Sequence, residues 1–150
     1  MSLKTHDIWM QRALDAAQCA LPLDVPVGAL VLNQNQQVVA TAFNRREKDV
    51  NPVGHAEILA LQQAAQTLGT WRLRQTTLYV TLEPCPMCAS AIQQARVGRV
   101  IFGAYDPVLG ACGSQYKLLM KSADGQPVLG GILQKPCASL LQGFFRDRRS

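Results

Sequence analysis

Two short strings thirty positions apart constrain this chain more than any other feature: His55-Ala56-Glu57 and Pro84-Cys85-Pro86-Met87-Cys88. Cys85 and Cys88 are three residues apart, so on a helix they share one face. Pro84 stands just ahead and Pro86 falls in the first turn, where a missing N–H costs little, so the prolines mark a helix start. Both thiols then lie at the positive end of the helix dipole, which favours thiolate, the form that binds metal. His55 opens a second apolar-periodic run, Ile58, Leu59, Leu61, Ala64, Ala65 and Leu68, with Gly69 as its C-terminal stop. Two helices would thus aim their N-termini at one ion. A structural zinc site normally uses four protein ligands, whereas a catalytic one uses three and keeps a position for water. His55, Cys85 and Cys88 make three, and Glu57 is a spare carboxylate. A lone Cys-x-x-Cys could instead be redox-active or part of a structural zinc site; the histidine, glutamate and prolines favour catalysis. Residues two apart on a helix do not face each other. Glu57 therefore borders the ion only if the ion sits off the helix end.

The 150 residues are enough for one domain with a buried core, and 48% apolar against 17% charged content is an ordinary globular mixture. No stretch approaches the roughly 20 apolar residues of a membrane span, and the first seven residues lack a hydrophobic signal core. These features predict a cytoplasmic protein. Five cysteines with no secretory signal argue against a disulfide framework. Cys19, Cys112 and Cys137 are read as reduced and structural. The net charge of +5 suits a polyanionic partner without establishing one. Basic residues group as Arg146, Arg148 and Arg149 beside Phe144 and Phe145, as Arg45, Arg46 and Lys48, and as Arg72 with Arg74. Basic side chains next to aromatic ones suit phosphate contact with base stacking.

The hydrophobic pattern predicts a helix over Ile8–Ala20, with Ile8, Met10, Ala13, Leu14, Ala17 and Leu21 on its apolar stripe. A hairpin follows, Val27–Leu32 and Val38–Phe43 around the turn Asn33–Gln36. Asn44–Gly54 is a polar loop ahead of the His55 helix. Thr76–Leu82 is a strand, the cysteine helix runs to about Arg96, and Arg99–Gly103 is another strand. Asp106–Ser114 is a glycine-bearing loop, Gln115–Lys121 a short helix, and Val128–Leu133 a weak fifth strand containing Gly130 and Gly131. A last helix starts at Pro136. Helices alternating with single strands after a hairpin imply an α/β sandwich around a mixed sheet.

His-x-Glu followed by Pro-Cys-x-x-Cys is the signature of zinc nucleobase deaminases, and the chain resembles one branch of that superfamily from about Ile8 to Arg149. Val25-Pro26-Val27-Gly28-Ala29, Phe43-Asn44-Arg45, Leu78 to Cys85, Arg99 to Ala104, Asp106, Gly110 to Ser114 and Phe144-Phe145-Arg146 are similar to the bacterial tRNA-specific adenosine deaminases. The two metal strings fit any member of the superfamily; the glycine-serine loop and the Phe-Phe-Arg tail favour the tRNA branch. The resemblance implies a cytidine deaminase-like three-layer α/β/α sandwich with a five-stranded mixed sheet, in one domain over residues 1–150. It implies one zinc per subunit on His55, Cys85 and Cys88, Glu57 as proton shuttle, and a homodimer whose interface helps to build the RNA site. Asn44 would hydrogen-bond the flipped nucleotide, Asp106 would contact the ribose, and Pro26, Val27 and Leu82 would wall the base pocket. Ala56 would offer its backbone N–H to the base, and Phe145 and Arg146, beside Phe144, would meet the anticodon loop. Two positions depart from the pattern: Val53-Gly54 replaces a common Thr-Ala, and Tyr105 stands where arginine is frequent.

The implied reaction is hydrolytic conversion of adenosine to inosine at the wobble position of a tRNA anticodon, with an arginine tRNA as the expected substrate. Deamination of free guanine, cytosine or a nucleoside is the alternative, and would not need the basic-aromatic tail. A zinc module without chemistry would not need Glu57. The choice of adenine over cytosine rests on the resemblance alone.

Overall fold

The computed structural model describes residues 2–149. Its elements are α1 (Leu3–Gln18), β1 (Gly28–Leu32), β2 (Val38–Phe43), α2 (Ala56–Leu68), β3 (Thr77–Leu82), α3 (Pro86–Gln94), β4 (Arg99–Ala104) and α4 (Gln134–Arg149). The strands lie in the order β2-β1-β3-β4. β1 is antiparallel to both β2 and β3, whereas β3 and β4 are parallel, so the sheet is mixed. A parallel pair needs a crossover connection, usually a helix, and α3 supplies it. That connection starts at Glu83 and places the cysteines just beyond the C-terminal end of β3.

Alternate strand residues enter two separate cores, as the period-two geometry of a strand requires. Val31, Val80, Val100 and Phe102 pack with Ala60 and Ala64 of α2 and Ala89 and Ile92 of α3. Leu30, Tyr79 and Ile101 pack with Met10, Ala13 and Leu14 of α1 and Cys137 of α4. Small side chains set the spacing on both faces. Ala56, Ala60 and Ala64 are fully buried along α2. A methyl group on Gly28 would overlap the Ala13 carbonyl, so glycine is what lets α1 lie directly on β1.

The hairpin turn forms as expected, with Asn33 Oδ1 accepting from the N–H groups of Asn35 and Gln37 at 2.9 and 3.0 Å. Gly69 ends α2 in the left-handed region at φ 72°. Four expectations need correction. The first helix starts at Leu3 because Ser2 Oγ caps it, accepting from the Thr5 N–H at 3.3 Å. Ile8 is 56% exposed and Leu21 is also exposed; His6 joins Met10, Ala13, Leu14 and Ala17 on the buried face instead. Residues 115–121 form no helix. The amides of Gln115 and Tyr116 bond the Gly110 carbonyl and those of Leu118 and Leu119 bond the Ala111 carbonyl, which leaves no i to i−4 ladder.

The fourth correction concerns the sheet: four strands are found among the described residues, not five. Residues 128–132 do run alongside β4, with Leu129 paired in parallel to Ile101. The Leu129 N–H bonds the Val100 carbonyl and the Phe102 N–H bonds the Leu129 carbonyl, at 3.1 and 2.9 Å. Regular pairing stops there because the backbone of Gly130 lies against the Phe102 ring and Gly131 turns at φ 89°. Among the described residues, no helix is long and apolar enough to cross a membrane.

His6 carries a pH dependence. It is buried against β3, with Nδ1 hydrogen-bonded to the Tyr79 hydroxyl at 2.7 Å. Burial first, and then the charge of Arg99, holds its pKa below the ordinary 6.5. The unfolded chain therefore takes up the proton more readily, and this contribution to stability is present above about pH 6.5 and falls as pH drops below it. In urea unfolding at pH 7.5 and 5.5, His6→Gln should lose less stability on acidification than the unaltered chain.

Candidate active site

His55 and Cys85 occupy the N-cap positions of α2 and α3, both with extended backbone, and neither side chain caps its own helix. They turn toward each other instead. His55 Nδ1 lies 3.6 Å from Cys85 Sγ and 3.4 Å from Cys88 Sγ. The three ligand atoms all fall within 4.8 Å of one another. A tetrahedral zinc, with Zn–S near 2.3 Å and Zn–N near 2.0 Å, would hold nitrogen and sulfur about 3.5 Å apart. The donor set fits zinc in kind, number and spacing, and three donors leave the fourth position for a water or substrate atom.

Electrostatics prepare the cluster. The Cys85 thiol is held down to about 4, first by the hydrogen bond from Cys88 and then by His55. Cys88, the donor of that bond and more deeply buried, is pushed up. His55 is raised, chiefly by its hydrogen bond with Cys85. A dication entering this set must displace protons, so its affinity rises with pH.

Glu57 is only 4% exposed, and burial pushes its carboxyl up to about 7. Hydrogen bonds to its own backbone N–H and to the Cys88 thiol work the other way. The contact with Cys88 puts Glu57 beside the donor cluster. The cluster sits off the end of α2, so residues 55 and 57 both reach it from the first turn. A carboxyl with a pKa near neutrality can both accept and return a proton.

Asn44 leaves β2 and is buried at 8% exposure. Its Oδ1 accepts from the Ala56 N–H at 2.8 Å. It thus supplies the cap that His55, as a candidate ligand, does not. The Ala56 N–H expected on the base is therefore taken by Asn44, a correction that follows from the need of α2 for a cap, and the Asn44 amide keeps its Nδ2 as a donor. The loop behind it is fastened by Asp24, a buried residue that sequence patterns did not single out. Its carboxylate accepts from the Glu47 and Lys48 N–H groups at 2.9 and 3.2 Å. Arg45 is engaged within the same loop, pairing with Asp49 at 2.7 Å and lying over the Phe43 ring.

Pro26 and Val27 are buried at the start of β1, and Leu82 is half-buried at the end of β3. Asp106 Oδ1 accepts from the Val108 and Leu109 N–H groups at 3.0 and 3.1 Å, so it shapes its own turn. Leu82, Asp106 and Phe145 line one cavity of about 400 Å³. Asn44, Arg46 and Phe145 line another of about 320 Å³. Phe145, 46% exposed, therefore stands between the two, while Phe144 is buried and docks α4. Arg146 is exposed. Arg148 stacks on Phe144 and donates to the Leu23 carbonyl at 2.8 Å, so it fastens the tail to the chain. The Arg149 side chain lies outside the described residues. Tyr105 is exposed beside Asp106, its ring edge-on to Phe102.

Glu83 was also missed. It is 1% exposed, and its carboxylate accepts from the N–H groups of Asp106, Cys112 and Ser114 and from the Ser114 hydroxyl. The signal was its place between a strand and the cysteine string, where a carboxylate beside metal ligands is easily passed over. Asn44→Ala, which leaves the Ala56 N–H without its acceptor, should lower unfolding free energy by about 1–3 kcal/mol in urea titration.

Comparison with known proteins agrees with this geometry. Residues 3–104 match the family model of the cytidine and deoxycytidylate deaminase zinc-binding region. A tRNA-specific adenosine deaminase of Bacillus subtilis is 42% identical over 146 residues, spanning 95% of this chain and 90% of that protein. Its counterpart in Haemophilus influenzae is 38% identical over 143 residues, spanning 93% and 83%. A solved structure from work on A-to-I editing by tRNA:A34 deaminases superposes with a TM-score of 0.80 at 35% identity, covering 91% of this chain and 99% of that one. The paired helix N-termini, with their histidine, two cysteines and buried glutamate, thus belong to a member of the zinc-binding cytidine and deoxycytidylate deaminase family.

Proposed function

We propose that this chain is a zinc-dependent hydrolase that converts adenosine to inosine at the wobble position of a tRNA anticodon, with an arginine tRNA among its substrates. The observation that carries the proposal is the three-donor cluster of His55, Cys85 and Cys88 with buried Glu57 against it. Likeness to tRNA-specific adenosine deaminases over most of the chain supports the substrate class. The protein acts in the cytoplasm as a single deaminase domain, its helices on both faces of the sheet making three layers.

His55 Nδ1 and the Cys85 and Cys88 thiolates would hold one zinc per subunit. When bound, the ion supplies an acidified water, its pKa lowered from about 15.7 toward 7. Glu57 would take a proton from water as it adds to C6 of the adenine. It delivers that proton to the ring nitrogen, then carries the second proton, from the new C6 hydroxyl, to the amine that leaves as ammonia, so adenosine and water become inosine and ammonia. Asn44 presents Nδ2 to the flipped nucleotide while its Oδ1 keeps the Ala56 end of α2 in place. Pro26, Val27 and Leu82 give the base an apolar wall. Asp106 meets the ribose, where a 2′-hydroxyl contact separates RNA from DNA. Phe145 stacks and Arg146 meets phosphate in the anticodon loop. A loop is the cheapest place to flip a base, since unpairing costs a few kcal/mol in a duplex.

The homodimer is supported by an apolar groove of about 840 Å³ between α2 and α3, lined by Ile58, Leu61, Met87 and Ala91 with exposed Trp71 at its edge. A second copy of the chain is its occupant.

Ammonia release tests the reaction, with zinc-loaded protein on an anticodon stem-loop bearing wobble adenosine and, separately, on free adenosine, guanine and cytosine. Turnover of the stem-loop alone is expected; turnover of a free base with none on RNA would move the chain to small-molecule metabolism. Glu57→Ala should lower the rate by about 100- to 10,000-fold while zinc content and stem-loop binding stay close to normal. Near-normal turnover in that variant would exclude Glu57 as the proton shuttle.

A further inference from the structure

We infer that Glu83 is a positioning residue: its buried carboxylate latches the loop of residues 106–114 onto the start of the cysteine helix and so fixes the wall that carries Asp106. The inference rests on the functional reading above and extends it to a residue which touches neither metal nor base.

The geometry is that of a clasp. Glu83 continues β3, its N–H bonded to the Ala104 carbonyl at 2.8 Å, and it directly precedes Pro84 and Cys85. Oε1 accepts from the Asp106 N–H at 3.0 Å and from the Ser114 hydroxyl. Oε2 accepts from the Cys112 and Ser114 N–H groups at 3.0 and 3.1 Å. One carboxylate thus joins both ends of the loop. The Ala111 N–H adds a bond to the Pro84 carbonyl at 2.8 Å. A side chain at Gly110 would collide with the Glu83 carboxylate, so the loop backbone closes directly around it.

The donors explain why the clasp is a carboxylate. All four groups that face it are donors, and an ionised carboxylate has about four acceptor sites. A glutamine must set its NH₂ against either two backbone N–H groups at the Oε2 position, or the Asp106 N–H and the Ser114 hydroxyl at the Oε1 position. In both cases at least one backbone N–H loses its acceptor. The second orientation loses fewer bonds, because the Ser114 hydroxyl can turn to accept from the NH₂; it leaves the Asp106 N–H without its acceptor, while the turn made by Asp106 Oδ1 with Val108 and Leu109 is left intact. The loosened residues include Asp106, Val108 and Leu109, which line the 400 Å³ cavity together with Leu82 and Phe145. The consequence falls on substrate placement and not on the proton shuttle.

The test compares Glu83→Gln and Ser114→Ala with the unaltered chain in two measurements. In amide hydrogen exchange, Glu83→Gln should speed exchange at Asp106 by more than about tenfold and at Cys112 and Ser114 by less, with α3 residues 88–94 little changed. In steady-state deamination of the anticodon stem-loop by zinc-loaded protein, KM should rise about tenfold, clearly more than kcat falls, with metal content retained. Ser114→Ala, which removes only the hydroxyl donor, should shift both in the same direction by less, and serves alone if Glu83→Gln does not fold. Unchanged exchange, a fall in kcat without a rise in KM, or loss of zinc would each overturn the proposal. A wild-type chain inactive on the stem-loop would instead overturn the functional reading and with it the substrate half of this inference; hydrogen exchange would still decide whether Glu83 holds the loop.

Discussion

Everything around the candidate site depends on two helix N-termini that meet without capping themselves. An α-helix leaves its first four N–H groups unpartnered, and the N-cap side chain normally answers one of them. Here the N-cap residues are His55 and Cys85, and both turn away from their helices toward each other. The helix ends therefore need acceptors from elsewhere. Pro86 has no N–H to satisfy at the first position of α3. At α2 the acceptor is Asn44 Oδ1, brought in from the end of β2. The positive ends of two helix dipoles then face one small volume, which favours thiolate at Cys85.

That arrangement makes a surface loop part of the site. Asn44 begins the 44–54 segment, and its backbone N–H bonds the Val27 carbonyl at 3.1 Å. Asp24 gathers the Glu47 and Lys48 amides, and the Arg45 N–H bonds the Gly54 carbonyl at 2.9 Å, immediately before His55. The departure Val53-Gly54 falls within this closure. The backbone of Gly54 lies against Asn51 and Arg45, so a side chain there would be tightly packed against both.

What was legible in the sequence, and what was not, divides along the range of the interactions. The cysteine helix, its proline start, the His55 helix with its glycine stop and the β1–β2 hairpin follow from local chemistry, and local chemistry is what spacing reports. Asp24, Glu83 and His6 act through bonds to residues 23, 31 and 73 positions away. No period or motif carries such partners, and an acidic residue near a loop looks the same whether solvated or buried. The fifth strand and the 115–121 helix were misjudged for a related reason. Residues 128–133 have strand-like chemistry, but the Phe102 ring beside Gly130 decides their path. Residues 115–121 have helix-compatible composition, yet the carbonyls of Gly110 and Ala111 take their amides first. Ile8 fits a periodic stripe on paper, but it lies two residues from Met10 and so on another side of α1.

The strand end at Leu82-Glu83-Pro84-Cys85 shows how few residues carry the design. Successive side chains of an extended chain point to opposite sides, so adjacent positions can serve different structures. Leu82 faces the cavity that Phe145 closes. Glu83 points the other way into the 106–114 loop. The Pro84 carbonyl takes the Ala111 N–H, and Cys85 turns to His55. Candidate metal donor and loop anchor are thus two residues apart on one segment, continuous with β3 and braced by parallel pairing to β4. A shift of this segment would move the cavity wall, the loop and the thiol together.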